Sequence, residues 1–255
     1  MHIPSSNSHR SRPSIAGAHT ARRLLVVLAL TGLLFEPGCI FRKHKPPAAP
    51  ASPARVRVVL LPMNVPDGSP ELHWISLATV AEMADTASAA PDLELVPVWE
   101  SVPAALQSLG NSRTVTLDIA ELVATRLSAR WSSQGEIIKA GKTFTWRLDF
   151  IPAKPSLVPF RYEKTSAVEA LPSQAREAFD QFLRYLIVRP LEVTKTPSLD
   201  AKKLREIADA LDAEFGWFGT AKPGTSGKVV EDLARSRPAL ARVLFSPTLY
   251  PVLAK

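Results

Sequence analysis

Residues 134–151 read QGEIIKAGKTFTWRLDFI, and their second half decides what the chain can be. Phe144, Trp146, Leu148 and Phe150 alternate with Thr145, Arg147 and Asp149, a period of two that gives a strand one buried and one wet face. Gln134 to Lys139 supplies the first arm, and Ala140-Gly141-Lys142 supplies a turn with a glycine free to take positive φ. The passage therefore predicts an antiparallel hairpin.

Working outward, Val56-Arg-Val-Val-Leu-Leu-Pro-Met63 is a short apolar run of the kind covered on both faces. Leu72 to Ala89 is alanine-rich without glycine or proline, with Leu72, Ile75, Val80 and Met83 on an apolar side, and reads as a helix. Leu93 to Trp99 reads as a strand, and Pro97 within it points to an edge or a bulge. Val102 to Leu109 is a short helix stopped by Gly110-Asn111. A further helix carries Ile119, Leu122, Val123 and Leu127, with Asp118 and Glu121 as its capping pair. Val158 to Glu163 is another short strand. Then Leu171, Ala175, Ala178, Phe179, Phe182, Leu183 and Leu186 make one helical stripe. The fold class is α/β, a mixed sheet flanked by helices.

Residues 191–255 form a helical region, with one stripe on Leu204, Ile207, Ala208 and Leu211 and a second helix at Val229, Val230 and Leu233. Pro238 starts a third. These stripes require cover from the body or from a partner protein, and no tetratricopeptide period is visible in them.

Ahead of the body, Arg10, Arg12, Arg22 and Arg23 precede an apolar run from Leu24 to Phe35, the pattern of an export signal over residues 1–38. The run is shorter than the roughly twenty apolar residues that a membrane span needs. Residues 39–55 continue into RKHKPPAAPASPAR, a proline- and alanine-rich, semi-rigid tether. The whole net charge of +7 lies ahead of residue 56, so the body carries no net basic charge and no nucleic-acid partner is expected.

Cys39 is the single cysteine, so no intramolecular disulfide forms. With Gly38 before it and the apolar run just upstream, it resembles the lipobox of bacterial lipoproteins, although Glu36 and Pro37 replace the usual leucine and small residue. The resemblance implies lipidation of Cys39, palmitate included, and an outer-membrane lipoprotein facing the periplasm, since Ile40 is not the aspartate that marks inner-membrane retention. An inner-membrane anchor and a soluble periplasmic protein with a stray thiol are the alternatives.

The body also resembles a family. Arg57-Val-Val-Leu-Leu-Pro-Met63-Asn64 is similar to the opening strand of the TolB amino-terminal-like domain, which includes FlgO-like lipoproteins. Ile119 to Leu127 followed by Gly135 to Lys142 is similar to its helix-then-hairpin passage, and Phe160-Arg-Tyr-Glu163 to its next strand. The resemblance spans residues 56–190. It implies a binding and assembly module with no catalytic residues to carry over, and hence an envelope protein partner.

Sites for chemistry are sparse. Gly135 to Thr143, GEIIKAGKT, has five residues between its first glycine and Gly141-Lys142 where a phosphate-binding loop has four, and it leads into a strand. No cofactor is expected. His44 and His73 are the only histidines beyond the export signal, so no metal site is expected. His73 reads as a capping or surface residue, and Asp209 and Asp212 read as an ordinary solvated helix face. Trp217, in Phe215-Gly-Trp-Phe218, is the best tryptophan for surface recognition, with core packing its equal alternative; Trp99 reads as an exposed strand end. The sequence predicts a non-enzymatic envelope lipoprotein that binds a protein partner. The alternatives are an exported hydrolase with an unrecognised site and a subunit of an envelope ring or secretion assembly. Oligomeric state stays open.

Overall fold

A computed structural model describes residues 55–254, apart from 111, 142, 187–196 and 223. The export signal, Cys39 and all but the last residue of the tether lie outside these residues. In chain order the elements are β1 (Val56–Val59), α1 (His73–Ser88), β2 (Leu93–Leu95), α2 (Val98–Leu109) and α3 (Leu117–Arg126). The hairpin strands β3 (Trp131–Ala140) and β4 (Thr143–Pro152) follow, then β5 (Phe160–Ser166) and α4 (Leu171–Tyr185). Three more helices close the chain, α5 (Ala201–Phe215), α6 (Ser226–Ser236) and α7 (Pro238–Leu244).

The strands form one mixed sheet in the order β2-β1-β3-β4-β5, parallel across β2, β1 and β3 and antiparallel from β3 to β5. The connections from β1 to β2 and from β2 to β3 run in opposite directions across the sheet, so right-handed crossovers send α1 to one face and α2 with α3 to the other. On the α1 face, Phe182 of α4 stacks on Phe150 of β4 at 3.8 Å, with Trp131, Phe160 and Phe179 around the pair. The alternation read in residues 143–151 is thus the alternation of this roofed face with the opposite one.

Helix α1 is covered twice. Its other side packs on α5 and α7, and thirteen of its sixteen residues are buried. Two of those are carboxylates, Glu82 and Asp85. Arg176 of α4 donates to Glu82 at 3.0 Å and lies 3.6 Å from Asp85, Ser198 donates to Glu82 at 2.6 Å, and Arg237 between α6 and α7 pairs with Asp85. Burial pushes the Glu82 carboxyl above its ordinary range, and the Ser198 and Arg176 hydrogen bonds offset part of that push.

Several local expectations change. The second strand stops at Leu95, because Pro97 is the N-cap of α2 and the residues after it are helical. Trp99 is therefore a helix residue, half-buried, and its indole N–H donates to the Arg242 carbonyl of α7 at 3.1 Å. Helix α3 is capped two residues before Asp118, by the Thr116 hydroxyl accepting from the Ile119 N–H. The hairpin turn is tighter than expected, since Ala140 pairs directly with Thr143 and Gly141 takes φ +63°.

The largest revision concerns Asp212, and it decides between the two readings of Trp217. Asp212 is buried near the end of α5, where Gly216 closes the helix in the left-handed region at φ +64°. Its carboxylate accepts from the N–H groups of Phe218, Gly219, Thr220 and Ala221 and from the Thr220 hydroxyl, at 2.7–3.0 Å. Burial works to raise the pKa, but the hydrogen bonds from Phe218, Thr220 and Ala221 outweigh it and hold the carboxyl below its ordinary value. The loop so gathered turns Trp217 inward, leaving it 1% exposed. It is a core residue and no recognition surface.

Replacing Asp212 with Ala strands four loop N–H groups and frees Trp217. We expect a loss of about 2–4 kcal/mol at neutral pH by denaturant titration. Because the folded pKa is depressed, this contribution is complete above the unfolded carboxyl pKa and disappears as pH falls through the folded one. The gap between wild type and Asp212→Ala should therefore close in acid, and a gap independent of pH would contradict the assignment.

Candidate functional site: the open face of the antiparallel strands

Helix α3 packs over the β1, β3 and β4 end of its face of the sheet and leaves the outer halves of β3, β4 and β5 without a helix. Strand register then fixes what the open area carries: Gln134, Glu136 and Ile138 from β3, Thr145, Arg147 and Asp149 from β4, and Arg161, Glu163 and Thr165 from β5. Directly opposed pairs interact. Arg147 pairs with Glu136 and donates to Glu163 at 3.0 Å, Arg161 grips Asp149 through two nitrogens at 2.7 and 3.1 Å, and Thr145 bonds Thr165 at 2.8 Å. The hydrogen bond to Glu163, and the charges of Glu163 and Glu136, raise the Arg147 pKa further, and Asp149 does the same for Arg161.

At the α3 side this face dips into a cleft of about 250 Å³ lined by Leu117, Gln134, Gly135, Glu136, Arg147, Asp149 and Arg161. Leu117, the first residue of α3, stands at its rim and is 55% exposed. Asn64 shapes the floor. Its backbone bridges Gly135 and Ile137, while its side-chain amide accepts from the Val115 N–H at 2.7 Å and donates to the Val115 carbonyl at 2.9 Å. One amide thus fixes the entry to α3 against β3. The cleft is polar with an apolar lip, and each of its two carboxylates is held by an arginine.

That pairing decides the chemistry. A carboxylate locked to a guanidinium is a poor general base, and among the described residues no cluster of three or more histidine, cysteine, aspartate or glutamate side chains could hold a metal. His73 lies elsewhere, half-buried: its backbone N–H donates to the Pro70 carbonyl and caps the 3-10 turn Pro70–Leu72, in line with the capping reading, while its ring stacks on Phe218 at 4.0 Å with the rings 3° from parallel. Burial lowers its pKa, against the opposing pull of Asp212 and Glu71. The GEIIKAGKT segment runs along β3 and into β4, as expected, and leads into no helix; Lys142 lies outside the described residues. A second, polar groove of about 460 Å³ follows α4 between Ser173 and Arg184 and meets Ser198, beside the Glu82 network. Sequence reading missed the open face because alternation shows which residues share a side, and says nothing of which side a helix will cover.

No family model matches this chain, and no curated protein matches it. Among solved structures it is similar to the LpoB C-terminal domain from Salmonella enterica, at 14% identity and a TM-score of 0.36, over 47% of this chain and 87% of that one. A likeness at that level bears neither on function nor on subfamily.

Gly135 is the tight point beneath the cleft. A Cβ there would lie 2.5 Å from the Arg147 carbonyl oxygen and 3.0 Å from the Met63 methyl. Because the nearer obstacle is backbone, Gly135→Ala should cost about 1–3 kcal/mol, measured by denaturant titration. A neutral result would show that β3 and β4 separate more easily than this register implies.

Proposed function

We propose that this chain is a non-enzymatic envelope lipoprotein, a protein-binding or assembly module of TolB amino-terminal-like type. In this reading residues 1–38 are an export signal, Cys39 carries the lipid and palmitate, and residues 39–55 are the tether. Residues 56–190 form the α/β domain and residues 191–255 a helical region against it. The anchor places the protein on the outer membrane, facing the periplasm. No cofactor, metal or nucleic acid takes part. Among the described residues no helix is long and apolar enough to cross a membrane.

The observation that carries the binding role is the open sheet face with its cleft. It presents pre-organised charges, each held by a neighbour, beside an exposed leucine. Such a surface offers direction and register to a protein partner without a reactive group.

Two measurements test this. Cys39→Ser should abolish metabolic labelling by a fatty acid and release the protein from sedimented membranes or block its processing; labelling that persists would remove the lipid anchor. Separately, crosslinking and pull-down from native membranes should recover an envelope protein with the wild type and lose it with Leu117→Asp. Leu117 is a surface residue at the start of a helix, so that substitution should change stability by no more than about 0.5 kcal/mol. Unchanged recovery with Leu117→Asp would move the binding surface elsewhere.

A further inference from the structure

Strand β5 ends the sheet, and among the described residues no strand lies beyond it. Alternate residues of an edge strand turn their N–H and C=O groups outward, which invites pairing with another strand. Proteins blunt such edges with charge, and β5 is charged, but its charges follow a pattern.

On the open face the sign alternates from strand to strand. One row runs Glu136, Arg147, Glu163 across β3, β4 and β5; the neighbouring row runs Asp149, Arg161 across β4 and β5. The two rows therefore reach the free edge with opposite signs, two residues apart, on either side of Tyr162. Arg161 and Glu163 are both exposed there. Under a two-fold axis perpendicular to the sheet and midway between two facing Tyr162 residues, Arg161 falls opposite Glu163 of a second copy, and Glu163 opposite the Arg161 of that copy. Each row then continues across the edge with its alternation unbroken.

We propose that the chain forms a homodimer by antiparallel pairing of β5 with β5 of a second copy, in the register that sets Tyr162 against Tyr162. Backbone hydrogen bonds supply the attachment, as in any strand addition. The exposed ion pairs add little affinity each, but they select the register. Slipping the pairing so that Arg161 faces Arg161, or Glu163 faces Glu163, sets like charges directly opposite, which disfavours both neighbouring alignments on this face. The result is one sheet of twice the width with a cleft in each half, both on the same side. This inference does not depend on which protein the cleft binds.

A charge exchange tests it. The full chain, purified in detergent micelles, is examined by light scattering and sedimentation, with Glu163→Arg and Arg161→Glu made separately and two affinity tags distinguishing them. The wild type should be dimeric in the micromolar range. Each variant alone should self-associate at least about tenfold more weakly, because like charges then meet across the edge. Mixing the two variants should restore a dimer that carries both tags, since arginines of one then face glutamates of the other. A variant that loses its far-ultraviolet helical signal is replaced by Glu163→Lys or Arg161→Asp and the mixing repeated. A wild type that stays monomeric, variants that dimerise as the wild type does, or a mixture of folded variants that fails to pair would each overturn the proposal.

Discussion

With thirteen of sixteen residues buried, α1 lies between the sheet and the helices that close the chain, and the rest of the architecture answers to that position. A helix covered on both sides needs small side chains to let two layers approach, and alanine at positions 78, 81, 84 and 87 provides them. It also has little room for charge, yet Glu82 and Asp85 are there. Unpaired, such carboxylates would cost several kcal/mol each. Arg176 from α4 and Arg237 from the turn between α6 and α7 meet them, so the pairs bind two separate segments to one helix. The C-terminal helices are fastened through that ionic contact as well as through Leu204, Ile207 and Leu211.

What the sequence made legible follows the range of the interactions involved. The hairpin could be read because its pattern is local, and the structure bears out the alternation of Phe144, Trp146, Leu148 and Phe150. The α/β class, and the apolar stripes on α4 and α5, could be read for the same reason. Asp212 was misread as a solvated residue because its partners are loop N–H groups at positions 218–221, which have no side-chain signature. The Glu82–Arg176 and Asp85–Arg237 pairs join residues 94 and 152 positions apart, so no window of sequence contains them. Pro97 shows a narrower failure: a proline within the strand-like run Leu93 to Trp99 reads as an edge or a bulge, whereas it is the N-cap of the next helix.

The open face was illegible for a different reason. Its residues are polar on alternate positions, as in any half-exposed strand, and the decisive fact is that α3 is short and shifted toward one end. Thr116 caps α3 and Asn64 clamps Val115 just ahead of it, so the helix begins where the cleft ends. A surface can therefore be set by where a neighbouring helix is allowed to start.

The double cover of α1 also has a consequence in time. More than a hundred residues separate the end of α1 at Ser88 from the start of α5 at Ala201. During synthesis α1 and its strands emerge long before the layer that hides their outer side, and the arginine for Asp85 at position 237 comes almost last. For that interval the growing chain holds a bare apolar flank and, at Asp85, a carboxylate with Arg176 but without the second of its two arginines. A chain that folds from its amino-terminal end therefore passes a stage with the sheet present and the helical layer absent, and exposed apolar surface of that kind favours aggregation until the final segment docks.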